Sequence, residues 1–441
     1  MFLQRLCLEN IRSLASAVLD FSAPEGGVRR WTCLLGENGT GKSTVLRAAA
    51  LVLAGSEGLP ALLGDPARWV RLGKKSGRIT AILVTQEGQQ REVSLELHRS
   101  DSLTAALKRN EAGLKLLDDA LRYSLRSYFT AGFGVSRRLA GPESERFRQS
   151  QMHPRASSVA TLFQGDAPLR SVESWAMDLH YRRGEDGLRM VREAMNEVLV
   201  GIQFAGIDKE ARQLMFKTPD GKVPLAQLSD GFQNVISWFG DLLFRITEVF
   251  TDYKSPLTAR GLLLLDEADL HLHPVWQQRV ADYLMRRLPN FQFLVTTHSA
   301  LAAQQCGPHE LYVLKRKAKN VEVLHYEGAP HLLRVDQLLV SPVFGIESGM
   351  SLRVSEARNR KRRTKADIEL LQDVPRPRAD VEAENEKLAL LRDIKATLSR
   401  RGPGGKGKSI AAVRAASRPS RPAAFLRPSS AEVIGAALKK K

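Results

Sequence analysis

Cysteine is scarce: Cys7, Cys33 and Cys306 stand far apart in a chain of 441 residues. Three widely spaced thiols exclude a disulfide framework and a zinc pattern, and fit a reducing compartment. No uncharged apolar run approaches the roughly eighteen residues needed to span a bilayer. Met1 to Asp20 is charged throughout and lacks the apolar stretch of a signal peptide. The expectation is a cytoplasmic protein with no membrane partner. No a/d heptad is sustained over many turns, which excludes a long coiled-coil arm, and no internal repeat is present. Acid is nearly absent from the end of the chain. Ala396 to Lys441 holds eleven Lys or Arg against one acid, Glu432, so +10 of the net charge of +18 lies there. A basic tail points to nucleic acid or another polyanion; a solvated, solubilising tail is the alternative. With 43% hydrophobic and 26% charged residues, the rest reads as globular, with a large core.

The stretch that organises the chain is Gly36 to Thr44, GENGTGKST. It follows an apolar strand-like run, Trp31 to Leu35, and leads into a helical segment, Val45 to Ala54. That is the setting in which G-x-x-x-x-G-K-[ST] cradles nucleotide phosphates. Gly36, Gly39 and Gly41 allow the tight turn that aims successive N–H groups and a helix N-terminus at phosphate oxygens. Glu37, Asn38, Thr40 and Thr44 complete the loop. Lys42 reaches the β- and γ-phosphates in this reading, and the Ser43 hydroxyl holds Mg2+. A Gly-rich turn capping a helix is the plainer account of the same residues.

Phe2 to Phe21 reads as two short strands around Asn10-Ile11-Arg12, and Arg78 to Leu83 with Glu92 to Leu97 as a β-hairpin. Leu103 to Tyr128 and Val172 to Val200 have helical spacing. The Gly-, Arg- and Ser-rich stretch from Ala131 to Ser158 reads as a surface loop. Arg212 to Lys217 and Val223 to Leu225 form a second hairpin about Pro219-Asp220-Gly221. Ser229 in Leu228-Ser229-Asp230-Gly231 is placed to cap a helix running to about Phe250. Gly261 to Leu265 is an unbroken aliphatic strand ending in Asp266-Glu267, and Phe291 to Val295 is another, ending in Thr296-Thr297-His298-Ser299. Val275 to Arg287, with Pro274 in its first turn, is the crossover helix between them. Past Phe344 the pattern degrades into a basic run at Arg353 to Lys365, an amphipathic helix at Asp380 to Leu398, and a low-complexity end.

The order of these motifs resembles that of the ABC-type ATPase heads of the SMC and RecF class. The nearer likeness is to prokaryotic RecF-like AAA ATP-binding proteins with the run DE-x-DLHLHP-x-WQ, here Asp266 to Gln277. The ATPase subunits of Septu-type phage-defence systems are similar. The resemblance covers Met1 to about Gly349 and includes Leu162-Phe163, Glu173-Ser174-Trp175, the stretch LSDGFQNVISWFGDLLFRIT, and Val335 to Leu339 before Phe344-Gly345.

The fold implied is an α/β P-loop NTPase: an ABC-type ATPase head with a mixed sheet, an inserted mainly helical lobe and a basic C-terminal extension. Residues 1–55 and 223–350 make the two parts of the head, 56–222 a β-hairpin and helical insertion, 351–400 a basic helical extension, and 401–441 a disordered basic tail. ATP and Mg2+ are the implied cofactors. Asp266 shares Mg2+ with Ser43. Glu267 is the candidate general base, polarising the water that attacks the γ-phosphate, and His298 the contact to that phosphate. The resemblance gives Ser229 and Gly231 a role in trans, on ATP bound by a second subunit, and places Asp269 at the seam of a head-to-head homodimer. His271 and His273 at i, i+2 could be read as metal ligands, although a helix-entry role ahead of Pro274 accounts for them better.

Gln86, Gln89 and Gln164 are candidates for a Q-loop glutamine, and Phe133 to Arg137 loosely matches a Tyr-Gly-x-x-Arg stretch of related sequences. Arg137 is open between nucleotide, nucleic acid and solvent. No HNH pattern or Toprim module is present, so any nuclease is a separate chain. The function implied is an ATP-hydrolysing switch that dimerises on ATP and couples that state to DNA, a partner nuclease or both, in DNA repair or phage defence. The alternatives are a nucleotide-gated scaffold or sensor with little turnover and, least well matched, a transporter ATPase subunit.

Overall fold

A computed structural model of the chain describes residues 2–360 apart from 86–87, 124–128, 138–151, 200, 252–254, 319 and 347–350, and beyond them residues 364 and 366. Gln86, the amphipathic helix expected at 380–398 and the tail at 401–441 lie outside the described residues. Of the extension expected at 351–400, one helix, Leu352–Asn359, is described.

Strands β1 (Phe2–Ile11) and β2 (Leu14–Asp20) pair antiparallel around a turn in which Asn10 and Arg12 take left-handed φ values of 52° and 49°. β3 (Trp31–Gly36) delivers the chain to the helix Lys42–Val52. The expected hairpin is β4 (Ser76–Val84) and β5 (Gln90–His98), and with the first two strands it makes a four-stranded antiparallel sheet in the order β2-β1-β4-β5. β6 is Thr130–Phe133. β7 (Gln203–Asp208), β8 (Gln213–Thr218) and β9 (Gly221–Pro224) form a small antiparallel meander. β10 (Gly261–Leu265), β11 (Phe291–Thr297), β12 (Leu311–Lys317) and β13 (Asn320–Tyr326) complete a six-stranded sheet in the order β13-β12-β3-β11-β10-β6. Its ladders are parallel except for β12 with β13.

Every residue of β10 and β11 is buried, because both faces of this sheet are covered. Alternate side chains enter two different cores. Trp31, Cys33, Leu35, Leu263, Leu265, Phe293 and Val295 pack with the helices Val172–Val198, Asp230–Val249 and Val280–Arg287. Leu34, Leu262, Leu264 and Leu294 face the helix Lys42–Val52, which fills the space beneath the antiparallel sheet. That helix buries nine of its eleven residues, Lys42 and Thr44 among them. The phosphate-loop helix is thus a central packing element held from both sides.

The structure departs from the sequence-based expectation at 131–158. That stretch does not begin as a surface loop: Thr130–Phe133 is a strand paired in parallel with β10. The glycines that suggest a turn serve close approach. A Cβ on Gly132 would lie 2.5 Å from Leu162 Cδ1, and one on Gly134 would lie 2.0 Å from the Thr161 carbonyl oxygen. The helix expected at 103–128 is two, Leu103–Arg109 and Glu111–Tyr123. Between them, Asn110 is buried and uses its amide on the neighbouring strand: Nδ2 donates to the Glu96 carbonyl at 2.9 Å, and Oδ1 accepts from the Glu96 N–H at 2.7 Å. The crossover helix likewise divides into Pro274–Gln277 and Val280–Arg287, and Gly184, at φ 58° and ψ −146°, breaks Val172–Val198.

Two glycine replacements separate packing from propensity. Gly134→Ala sets a methyl group against a backbone carbonyl and is expected to lower stability by about 2–4 kcal/mol. Gly113→Ala, inside the helix Glu111–Tyr123 with its nearest contact at an ordinary 3.5 Å, is expected to raise it by up to about 1 kcal/mol. Denaturant unfolding of the two variants checks the opposite signs.

Candidate functional site

The parallel register gathers the strand ends. Leu35 pairs with Thr297, Leu265 with Val295 and with Phe133, and Leu314 with Gly36. The residues that follow these strands therefore emerge along one edge of the sheet, where an open α/β sheet places its ligand.

In the phosphate loop, Gly39 and Gly41 take φ values of 74° and 100°, which a side chain disfavours, and a Cβ on Gly41 would lie 2.8 Å from Ser13 Oγ. Thr40 is turned inward and fully buried, its hydroxyl donating to the Glu37 carbonyl at 2.8 Å. Lys42 folds back over the loop and donates to the carbonyls of Gly36 at 2.8 Å and Glu37 at 3.0 Å. Burial pushes its ammonium pKa down, while Asp266, Glu267 and Asp269 push it up. The lysine is thus held over the loop as the basic end of an otherwise acidic group.

Those acids follow β10. Asp266 is buried and accepts from the Thr296 hydroxyl at 2.6 Å; the same oxygen of Thr296 accepts the Glu267 N–H at 2.7 Å. Glu267 takes the left-handed φ of 48°, uncommon outside glycine and costing on the order of 1–2 kcal/mol. Arg137 holds this turn from behind. It is buried, its Nε donates to the Gly134 carbonyl at 2.8 Å, and its Nη2 donates to the carbonyls of Asp266 and Glu267. Burial pushes the Arg137 pKa down to about 10, with Asp266, Glu267 and Asp269 acting the other way, so the group stays charged at neutral pH.

Asn38, Gly39, Gly41, Lys42, Ser43, Thr44, Glu267 and His298 line one cavity of about 340 Å³, together with Arg12 and Ser13. Eight of the residues expected from the sequence thus meet at one site, and two of them, Glu267 and His298, stand more than two hundred residues along the chain from the other six. Asp266 lies just behind Glu267. Gly36 and Glu37 contribute carbonyls to Lys42, and Thr40 is a structural member of the loop.

Ser229 and Gly231 do not line this cavity. Ser229 is exposed at the N-terminus of Asp230–Val249, and, contrary to the expected cap, its hydroxyl makes no capping bond. The turn is tied instead by Gln233, whose Nε2 donates to the Leu228 carbonyl at 2.7 Å. Gly231 packs on the loop after Glu267: a Cβ there would lie 2.7 Å from the His271 carbonyl oxygen. Asp269 is half-buried and accepts from the Thr297 hydroxyl. His273 accepts from the Val275 N–H at 3.4 Å and caps the Pro274–Gln277 turn, and no group of three or more His, Cys, Asp or Glu suited to a metal occurs among the described residues. Gln89 and Gln164 are not among the cavity residues.

Sequence reasoning missed Arg12, Ser13 and the part played by Thr296, and left Arg137 open. Arg12 sits in the β1–β2 turn with its guanidinium carbon 4.2 Å above the Trp69 ring, and its backbone N–H donates to the Trp69 carbonyl at 2.8 Å. Burial and nearby Arg47 push its pKa down. Only Arg137 had a signal, an FGxxR stretch next to a short apolar run.

The chain is 25% identical over 351 residues to the Septu protein PtuA of Bacillus mycoides, a match covering 79% of this chain and 45% of that protein. It therefore spans less than half the length of that relative. It is 29% identical over 143 residues to the retron Ec83 probable ATPase of Escherichia coli, covering 32% of this chain and 26% of that one. Among solved structures, the SMC head domain from Thermotoga maritima aligns over 74% of this chain and all of its own with 17% identity and a TM-score of 0.41. The family model described as "AAA domain, putative AbiEii toxin, Type IV TA system" matches residues 31–303, well over half of the chain. The chain belongs to this AAA-domain family, and the matched segment runs from the strand before the phosphate loop to the helix after His298.

Proposed function

We propose that this chain is a Mg2+-dependent ATP hydrolase whose heads close in pairs around nucleotide and pass that change to nucleic acid or to a partner nuclease. The observation that carries the reading is the meeting of Lys42, Ser43, Glu267 and His298 around one cavity, with Asp266 buried directly behind.

In this reading, the phosphate-loop N–H groups and Lys42 bind the β- and γ-phosphates, Lys42 exchanging two neutral carbonyl acceptors for charged oxygens. Ser43 and Asp266 would hold Mg2+. One hydroxyl and one carboxylate suit this ion, which keeps water and nucleotide phosphates as its other ligands, and the buried Asp266 oxygen already has its orientation set by Thr296. Bound there, the ion supplies charge neutralisation on the phosphate oxygens. Glu267 faces the same cavity and takes the proton of the attacking water. Its carboxylate is aimed by a backbone that Arg137 and Thr296 constrain. His298, exposed at the cavity wall, contacts the γ-phosphate.

Ser229, with no capping bond, has its hydroxyl available to nucleotide held by a second copy, and this is the basis for a head-to-head homodimer. The names of the Septu and retron relatives support a role in phage defence, and the tail at 401–441 supports contact with DNA.

Glu267→Gln is expected to lower phosphate release by about 10²–10⁴-fold while leaving ATP affinity within a few-fold of wild type; turnover and nucleotide-binding titrations check it. The same variant with Mg2+ and ATP is expected to double its mass by light scattering, and Ser229→Arg to prevent the doubling. A mass unresponsive to bound ATP would replace this mechanism with a nucleotide-gated scaffold. Arg137→Lys loses the forked contact to two carbonyls and is expected to lower kcat by about 10²-fold with little change in KM. If Arg137 only supports the fold, its unfolding temperature falls and kcat does not.

A further inference from the structure

Outside the phosphate-loop cavity lies a larger cleft, of about 840 Å³, which shares Arg12 and Ser13 with it. Its charged lining is five arginines, Arg12, Arg68, Arg71, Arg99 and Arg316, against one acid, Asp65. No lysine takes part. Asp65 is partly occupied, because one of its oxygens accepts the Ala67 N–H at 2.9 Å and the other lies 3.8 Å from Arg68. The cleft is cationic by composition, and like charges converge there at a cost to the folded state.

The arginines come from four separate parts of the chain, and the fold aims them. Arg71 donates to the Ser13 carbonyl and to Asn320 Oδ1, each at 2.6 Å. Arg99 donates to the Arg71 carbonyl at 2.8 Å and the Lys74 carbonyl at 3.2 Å. Arg316 donates to the carbonyl of Gly39, in the phosphate loop, at 2.7 Å. Arg12 places its guanidinium carbon 4.2 Å over the Trp69 ring. Such bonds to neutral acceptors fix the guanidinium planes and leave their charge in place. Planar, oriented guanidinium groups suit phosphate oxygens.

We infer that this cleft holds the phosphate backbone of a nucleic-acid strand. The nucleoside end of a nucleotide in the neighbouring cavity is neutral and has no use for five cations. A lone phosphate would occupy one or two of them. A strand offers charges repeated at intervals along a line, and Leu72, 87% exposed on the cleft wall, offers an apolar surface for a base. Arg316 joins the two sites: a phosphate that binds it competes with the Gly39 carbonyl, and so with the shape of the phosphate loop. The inference extends the nucleic-acid part of the proposed function by giving it a site apart from the tail.

The test uses the full chain, with labelled single-stranded and duplex DNA of one length followed by fluorescence anisotropy across a salt series. Arg68 and Arg99 do not line the phosphate-loop cavity, and the Arg68 side chain is 82% exposed. Arg68→Glu and Arg99→Gln are each expected to weaken binding several-fold and to flatten the slope of log affinity against log salt by about 0.9 on duplex, or about 0.7 on single strands. Turnover without DNA is unchanged in Arg68→Glu. If wild type binds DNA and neither variant alters the slope, the cleft is not the site and the tail accounts for binding. If wild type binds no DNA, both the cleft and the nucleic-acid reading fall. If polyglutamate binds and loses affinity equally in both variants, the ligand is not specifically nucleic acid and the inference is overturned.

Discussion

The parallel ladder of β3, β11 and β10 is the constraint on which the rest of this structure depends. Parallel strands with both faces covered start and stop together, so the residues that follow them appear side by side wherever they lie in the chain. Here, that places the loop after Leu35, Glu267 after Leu265 and the histidine after Thr297 around one cavity. β6 adds a fourth strand end and with it Arg137. β12 adds a fifth, which brings Arg316 to the phosphate loop. A one-residue slip in any of these ladders would exchange its two cores, since neighbouring residues of each strand belong to different clusters. The same apolar packing that stabilises the sheet therefore fixes the site.

Against this regular background, the turn at Asp266-Glu267 is locally unfavourable. A non-glycine residue is held left-handed, a carboxylate is buried, and a guanidinium is buried beside it. Each is offset by a specific partner. Thr296 satisfies Asp266 and the Glu267 N–H with one hydroxyl, and Arg137 collects the carbonyls that the bent turn leaves without a ladder partner. The buried positive charge of Arg137 also lowers the cost of concentrating Asp266, Glu267 and Asp269 near one another. Strain held in place by surrounding structure in this way is common where a side chain must be aimed.

Much of this was legible in the residues. Phosphate loops, aliphatic strands ending in acids, and Pro-led crossovers are local patterns with local causes, and Gly36 to Thr44, Gly261 to Glu267 and Phe291 to Ser299 were read from them with bounds within a few residues. β6 was not, because four residues carry no usable period, and Gly132 and Gly134 have the same letters whether they allow a turn or a close approach. Asn110 was hidden for a related reason: it ends one helix and begins another through bonds to Glu96 on the neighbouring strand β5. Ser229 holds the backbone geometry of a cap without making the bond, a distinction that depends on where the hydroxyl turns.

By itself, the sequence determined the class of the fold, the phosphate loop and the order of the acids and histidine that accompany it, since these follow from residue type at short range. Tertiary structure alone decided which residues meet. Arg12 and Ser13 reach the cavity from the first hairpin, Arg137 is turned inward beneath Glu267 instead of outward to solvent, and Arg68, Arg71, Arg99 and Arg316 converge in one cleft. The physical reason is the same in each case: a side chain's charge and shape are written in the chain, but its neighbours are set by strand register and by the packing of two cores on opposite faces of one sheet.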